Sequence, residues 1–311
     1  MIRIAVLIPC YNESATVGKV VTDFRSALPS AILYVYDNGS GDGTAAAAAT
    51  AGAEVRTEVL QGKGNVVRRM FADIDADIYV LVDGDDTYDA TAAPLLVNAL
   101  LKDQLDMVCG QRIAHLRAAY RAGHRFGNSL LTGLTNFIFG QRVSDMLTGF
   151  RVFSRRFVKS FPALSVGFET ETELTIHALE LRMPIAEIPT NYKERPEGSA
   201  SKLRTYADGM RILSTIVLLL KEERPLLFFG VGGLLLFATG LLLGGPVIAE
   251  YWRTQLVPRL PTAVLATGFV ILSFLSLTCG FILDSVSRGR KEVKRLAYLA
   301  LPAVDGQSAD A

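Results

Sequence analysis

Two runs near the C-terminus limit what this chain can become. Leu226–Gly245 and Thr262–Leu283 contain no charged residue, and the first charge after them is Asp284. Each is about twenty residues, long enough as a helix to cross a hydrocarbon core of roughly 30 Å. The short connection between them carries Tyr251 and Trp252, residue types enriched at membrane interfaces. Lys221, Arg224, Arg288, Arg290, Lys291, Lys294 and Arg295 flank the pair on the outside, whereas the connection has Arg253 and Arg259 beside Glu250. This bias places both outer flanks in the cytoplasm. The expectation is an integral membrane protein, of the bacterial inner membrane, with a cytoplasmic domain before a hairpin of two spans. The alternative is two core helices of a soluble protein. A chain of 311 residues is too small to bury two helices so uniformly apolar.

Hydrophobic residues make up 50% of the chain, and the excess lies after Arg224. The net charge of +1 argues neither for nor against nucleic acid or acidic partners, and no nucleic-acid partner is expected. Cys10, Cys109 and Cys279 form no CxxC pair, which fits a reducing compartment and neither a zinc site nor a disulfide framework. Met1–Pro9 is too short for a signal peptide and reads as a strand.

The chain before the spans alternates between two periodicities. Ile2–Ile8, Ala31–Tyr36, Glu54–Thr57, Ile78–Val82, Leu105–Gly110 and Ile185–Tyr192 predict strands. Helices are expected after Ser14, with Val17, Val20, Val21 and Phe24 on one face, over Thr44–Ala51, after Gly62-Lys63-Gly64, and over Glu169–Leu181. Such alternation implies an α/β fold with a mainly parallel sheet and helices on both faces. Ligands of such sheets bind beyond the carboxyl ends of the strands. Phe126–Gly140 predicts amphipathic helix at the membrane surface, or else a core helix. The expected organisation is a domain over residues 1–204, a juxtamembrane amphipathic helix over 205–224, the spans within 225–287, and a basic tail over 288–311.

The polar clusters fall where that rule wants them. Asp83-Gly84-Asp85 ends a strand, and two carboxylates separated by glycine can approach one hard cation, Mg²⁺ or Mn²⁺, that bridges to a diphosphate. Pro9-Cys10-Tyr11-Asn12-Glu13 and Asp37-Asn38-Gly39-Ser40 end two other strands. Tyr11 could stack on a base, Glu13 and Asn38 or Asp37 could meet base and ribose edges, and Lys63 could meet phosphate. The alternatives are a tight turn for Asn38-Gly39 and a solvated loop for Lys63. Arg112, Arg117, Arg121, Arg125 and Arg142 lie in a stretch without acidic residues. They are suited to an acceptor phosphate, or else to anionic lipid. Glu169 and Glu171, in the carboxylate cluster Glu169-Thr170-Glu171-Thr172-Glu173, are candidate bases, or else the cluster is favourable charge at a helix N-terminus.

Together with Asp145-Met146-Leu147-Thr148-Gly149-Phe150-Arg151 and Ser199-Ala200-Ser201-Lys202, these motifs resemble glycosyltransferase family 2, with the nucleotide-sugar-binding GT-A fold. Within it they are most similar to the polyprenyl-phosphate branch, which holds dolichol-phosphate mannose synthases and bactoprenol glucosyltransferases. The resemblance covers about residues 1–220. It implies that Pro9, Tyr11, Glu13, Tyr36 and Asn38 line the nucleotide pocket, and that Asp83, Gly84 and Asp85 hold donor and metal. Thr87 stands where relatives often carry Gln, which leaves a third metal contact open. Arg112, Arg195 and Lys202 would meet donor or acceptor phosphate, and Asp145 and Arg151 would sit at the acceptor side of the reaction centre.

The implied reaction moves one sugar from a UDP- or GDP-sugar to a polyprenyl phosphate by a single inverting displacement. Asp85 and Lys202 would stabilise the leaving group, and Asp145 or Glu171 would orient the acceptor or act as base. Competing readings are a polysaccharide synthase of the same fold, against which no Gln-x-x-Arg-Trp segment is found, and a non-catalytic nucleotide-sugar-binding scaffold. Gly230, Gly232, Gly233 and Gly240 allow close helix packing, compatible with a homo-oligomer.

Overall fold

The computed structural model describes residues 2–114, 133, 140, 143–165, 167, 169–193, 217, 218 and 220–304. Two units emerge, Met1–Met210 with Val293–Ala311, and Arg211–Glu292. Most positions of the helices expected over 126–140 and 205–224 lie outside the described residues, as do Arg117, Arg121, Arg125, Arg142, Arg195 and Lys202.

The first unit is built on a sheet of seven strands: β1 Ile4–Cys10, β2 Ile32–Asp37, β3 Glu54–Thr57, β4 Ile78–Leu81, β5 Met107–Ala114, β6 Arg151–Ser154 and β7 Ile185–Tyr192, in the order β3-β2-β1-β4-β6-β5-β7. All pairings are parallel except those of β6, which runs antiparallel to both β4 and β5. The strand β6 is absent from the sequence expectation, because Arg151-Val152-Phe153-Ser154 is short and begins with a charge. It forms because Val152 and Phe153 each fill one face of the sheet.

Consecutive residues of the central strands serve opposite faces. Val6, Ile8, Leu33, Val35, Val80 and Val152 pack with α1 (Val17–Ala27) and α4 (Ala93–Lys102). Ala5, Leu7, Tyr36, Tyr79, Leu81 and Phe153 pack with α3 (Lys63–Asp73), α5 (Arg155–Ser160) and α6 (Thr170–Leu181). Burial on both faces explains why these strands read as continuous apolar runs. A further short helix, α2 (Thr44–Thr50), starts from Gly43 at a φ of 87°, a left-handed conformation suited to glycine. Thr16, not Ser14, precedes α1, and its first turn closes on the Glu13 carbonyl.

At the far end of the sheet from the strand carboxyl termini, Asp106 is fully buried. It accepts from Ser154 Oγ at 2.6 Å, Arg156 Nε at 2.5 Å and Tyr298 Oη at 2.8 Å. Lys294 pairs with buried Glu180 at 2.6 Å. Residues 293–304 therefore group with this unit.

The second unit contains two long helices, α7 (Pro225–Thr254) and part of α8 (Leu260–Leu299). Both exceed the expected spans, and Tyr251 and Trp252 lie in the last turns of α7 rather than in a loop. Only 11% and 17% of their most apolar windows are buried, so their apolar surface faces outward as a lipid-facing hairpin requires. The seam is made of Gly233, Gly240 and Val247 against Ala266, Ser273, Gly280 and Ser287, a seven-residue repeat of mostly small side chains. A Cβ at Gly233 would lie 3.2 Å from the Ser273 carbonyl oxygen. Two of the four glycines expected to allow close helix packing, Gly233 and Gly240, thus pack within the hairpin itself.

Candidate active site

The loops after β1, β2 and β4 meet at the carboxyl edge of the sheet. Asn12 N–H donates to Ser40 Oγ, Glu13 N–H to Thr44 Oγ1, and Ser14 N–H to Asp42 Oδ2. The loop after β1 is thereby stitched to the turn after β2, and Tyr11 is left exposed at the rim. Burial of Asp42 pushes its carboxyl up, but hydrogen bonds from Thr44 and Ser14 together outweigh this and hold it at about 2.

Asp83-Gly84-Asp85 follows β4 directly, and its glycine is dictated by its neighbours. A Cβ on Gly84 would come within 2.5 Å of both Cys10 Sγ and Glu13 Oε2. Burial, and then Glu13, push the Cys10 thiol well above its usual range, so Cys10 is a neutral packing group. Asp85 is buried, and its Oδ1 accepts from Thr87 Oγ1 at 2.6 Å. Thr87 thus orients Asp85. Asp86 takes a φ of 56° and pairs with Lys19 at 2.8 Å, completing the turn.

Asp83 faces a second close glycine. A Cβ at Gly149 would lie 2.2 Å from Asp83 Oδ2, and Gly149 N–H donates to Tyr88 Oη at 2.7 Å. On its other side, Asp83 Oδ1 is bonded to Lys63 Nζ, which is also 2.5 Å from Glu171 Oε1. Burial alone would lower the Lys63 pKa, but Asp83 and Glu171 overcome it and keep the ammonium protonated. Gly64 lets this lysine come so close, since a Cβ there would meet the Ser165 carbonyl oxygen at 2.2 Å. Glu171 is buried in the first turn of α6, and its Oε2 has no hydrogen-bond partner among the described residues. The neighbouring Glu173 accepts from the N–H groups of Leu164 and Ser165.

Asp145 and Arg112 form a two-pronged ion pair, Nε to Oδ2 and Nη2 to Oδ1, both at 2.7 Å. Burial of Asp145 favours its neutral form, but Arg112 outweighs this and holds the carboxyl below its ordinary range. Glu187 of β7 accepts from the N–H groups of Ser144 and Asp145 and so fixes the loop, a contact with no sequence signal across more than forty residues.

Three expected site residues turn inward. Tyr36 is fully buried on the α3 face, where its hydroxyl donates to Asp73 at 3.1 Å, because strand alternation sends it to the core rather than to a nucleotide. Burial, only partly offset by Arg56, pushes its pKa to about 12. Asn38 is engaged on every side: its Nδ2 donates to the carbonyls of Glu58 and Leu60, and its Oδ1 accepts from Gly62 N–H. It holds the loop that delivers Lys63. Arg151 is fully buried, and it donates to the carbonyls of Thr148 and Met146 and to Thr175 Oγ1. It braces the Met146–Gly149 turn. Pro9 is buried beside Tyr36 in the strand register.

The acidic groups at this edge fit a divalent ion shared with a ligand. Asp83 and Asp85 offer hard oxygens at one strand end, and a protonated ammonium already lies on Asp83. Among the described residues no group of three His, Cys, Asp or Glu side chains could hold an ion unaided. Mg²⁺ and Mn²⁺ suit this arrangement, since they keep waters and take substrate phosphates beside one or two carboxylates.

The sequence profile "Glycosyl transferase family 2" matches residues 5–161. Glycosyltransferase AglJ of Haloferax volcanii is 33% identical over 95% of this chain and 98% of its own length. A dolichyl-phosphate hexose transferase of the same organism is 31% identical, over 71% of this chain and 95% of its own. Among solved structures, glucosyl-3-phosphoglycerate synthase from Mycobacterium tuberculosis in complex with Mn²⁺ and UDP-glucose aligns with a TM-score of 0.56. It has 26% identity and covers 71% of this chain and 78% of that one.

Proposed function

Because the chain belongs to glycosyl transferase family 2, we propose that it transfers one sugar from a UDP- or GDP-sugar to a polyprenyl phosphate, with inversion, at the cytoplasmic face of a membrane. The observation that carries this reading is the Asp83-Gly84-Asp85 edge with its ion-paired Lys63, in a chain that also has an outward-facing apolar hairpin. The dolichyl-phosphate hexose transferase supports the lipid-phosphate acceptor, and the Mn²⁺ and UDP-glucose complex supports the donor class and the metal.

The chain's own groups suit an acceptor that needs no strong base. A phosphate monoester is largely ionised at pH 7, its second pKa lying near 6. Asp145, neutralised by Arg112, is a weak base and serves to shape the loop in front of β6. Asp83 and Asp85 would hold Mg²⁺ or Mn²⁺, which supplies electrophilic stabilisation to the departing diphosphate. Lys63 adds positive charge at the edge where two anions must meet.

The test is a transfer assay with the full chain in detergent. It uses polyprenyl phosphate, Mn²⁺ or Mg²⁺ and a panel of labelled UDP- and GDP-sugars, with Asp85→Ala as control. Metal-dependent label in the lipid, absent in the control, supports the reading and names the sugar. Donor consumption without lipid label keeps the transferase and moves the acceptor elsewhere. No turnover across the panel refutes it and favours a scaffold.

A further inference from the structure

Lys63 lies in an unusual place for a phosphate-binding residue. It is half-buried, and it bridges a carboxylate of the metal-holding pair, the half-buried Asp83, to a buried carboxylate, Glu171. The arrangement is built rather than incidental. Asn38 pins the loop before Lys63 through three hydrogen bonds, Gly64 admits the backbone against Ser165, and α6 presents Glu171 from its first turn. Asp83 also lies against the Gly149 backbone, so close that a side chain at position 149 would overlap its carboxylate.

A cation that binds Asp83 must therefore compete with, or stand beside, a positive charge already bonded to the same carboxylate. Repulsion between a divalent ion and an ammonium at such separations is large even with generous screening. It is relieved if Lys63 finds another anion, and a nucleotide diphosphate arriving at this edge is such an anion. Glu171, whose second oxygen has no partner among the described residues, is left to stabilise the lysine in either position.

We propose that Lys63 is a positioning residue that couples metal binding to donor binding. It weakens capture of Mg²⁺ or Mn²⁺ by the empty edge and releases Asp83 when a diphosphate is present. This rests on the assignment of Asp83 and Asp85 as the metal-holding pair. Premature metal capture is suppressed, and ion and donor bind with positive cooperativity.

The test measures Mn²⁺ binding to the full chain in detergent from the electron-paramagnetic-resonance signal of free Mn²⁺. Titrations are run alone, with UDP and with GDP, for the wild type, Lys63→Met and Asp85→Asn. Lys63→Met should bind Mn²⁺ alone tighter by on the order of tenfold, and the gain produced by the nucleotide should shrink toward none. Lys63→Met/Glu171→Gln removes one charge of each sign and guards against misfolding caused by an unpaired buried carboxylate. It should show the same loss of coupling. Equal tightening with and without nucleotide, or no tightening at all, overturns the proposal while leaving the metal site in place. If the wild type binds no Mn²⁺ even with nucleotide, or Asp85→Asn binds it as well as the wild type, the metal assignment fails and the proposal fails with it.

Discussion

Replacing Gly149 with alanine should disable the enzyme without removing any chemical group. The added Cβ would lie 2.2 Å from Asp83 Oδ2 and 2.8 Å from its Cγ, where ordinary contact begins near 3.4 Å. Asp83 must then move by about 1 Å, and Lys63 holds it from the other side. Overpacking of this kind costs about 1–3 kcal/mol of stability. A displacement of about 1 Å at a reacting centre costs on the order of 100-fold in rate. Two assays separate these effects. Sugar transfer, with whichever donor the panel selects, reports activity. Thermal unfolding followed by thiol labelling reports stability of the first unit, because Cys10 and Cys109 are buried there. Tryptophan fluorescence would not serve, since the single Trp lies in the second unit. Gly41→Ala is the matched control, since a Cβ there meets nothing within 4 Å. Transfer within threefold of the wild type in Gly149→Ala would refute the claim that this contact sets the position of Asp83.

Three further outcomes are expected. Arg112→Met and Asp145→Asn should each cost about 3 kcal/mol, and the double variant clearly less than their sum, in a thermal-unfolding double-mutant cycle; simple additivity would deny the ion pair any structural weight. His177 is buried against Phe157 and Phe161, and burial first, then Lys294, push its pKa down to about 3. Its folded value lies below the unfolded value of about 6.5, so this stability is complete above pH 6.5 and falls by about 2 kcal/mol by pH 5; His177→Phe should flatten the melting temperature over that window. Arg151→Met should destabilise by about 3 kcal/mol or more, because it strands the carbonyls of Met146 and Thr148; a melting temperature equal to the wild type's would contradict the bracing role.

Much of this protein is legible in its sequence. The apolar runs of β1, β2 and β4 and the glycine-rich turns that end them follow from local chemistry, as do the two long apolar helices. Spacing of two carboxylates around Gly84 is also local, so the candidate metal-holding pair can be read from the motif alone. The family resemblance rests on the same short motifs.

Other features belong to the tertiary structure alone. Strand β6 is too short and too polar at its start to announce itself, and it exists because neighbours on both sides complete its hydrogen bonds. Whether Tyr36, Asn38 and Arg151 face a ligand or the interior depends on strand register and on partners distant in sequence. The bridge from Asp83 through Lys63 to Glu171 joins residues of three separate elements. Local chemistry acts between near neighbours in the chain and so can be read along it. An ion pair between distant residues depends on where the packed sheet and helices bring them, and only the folded chain decides that.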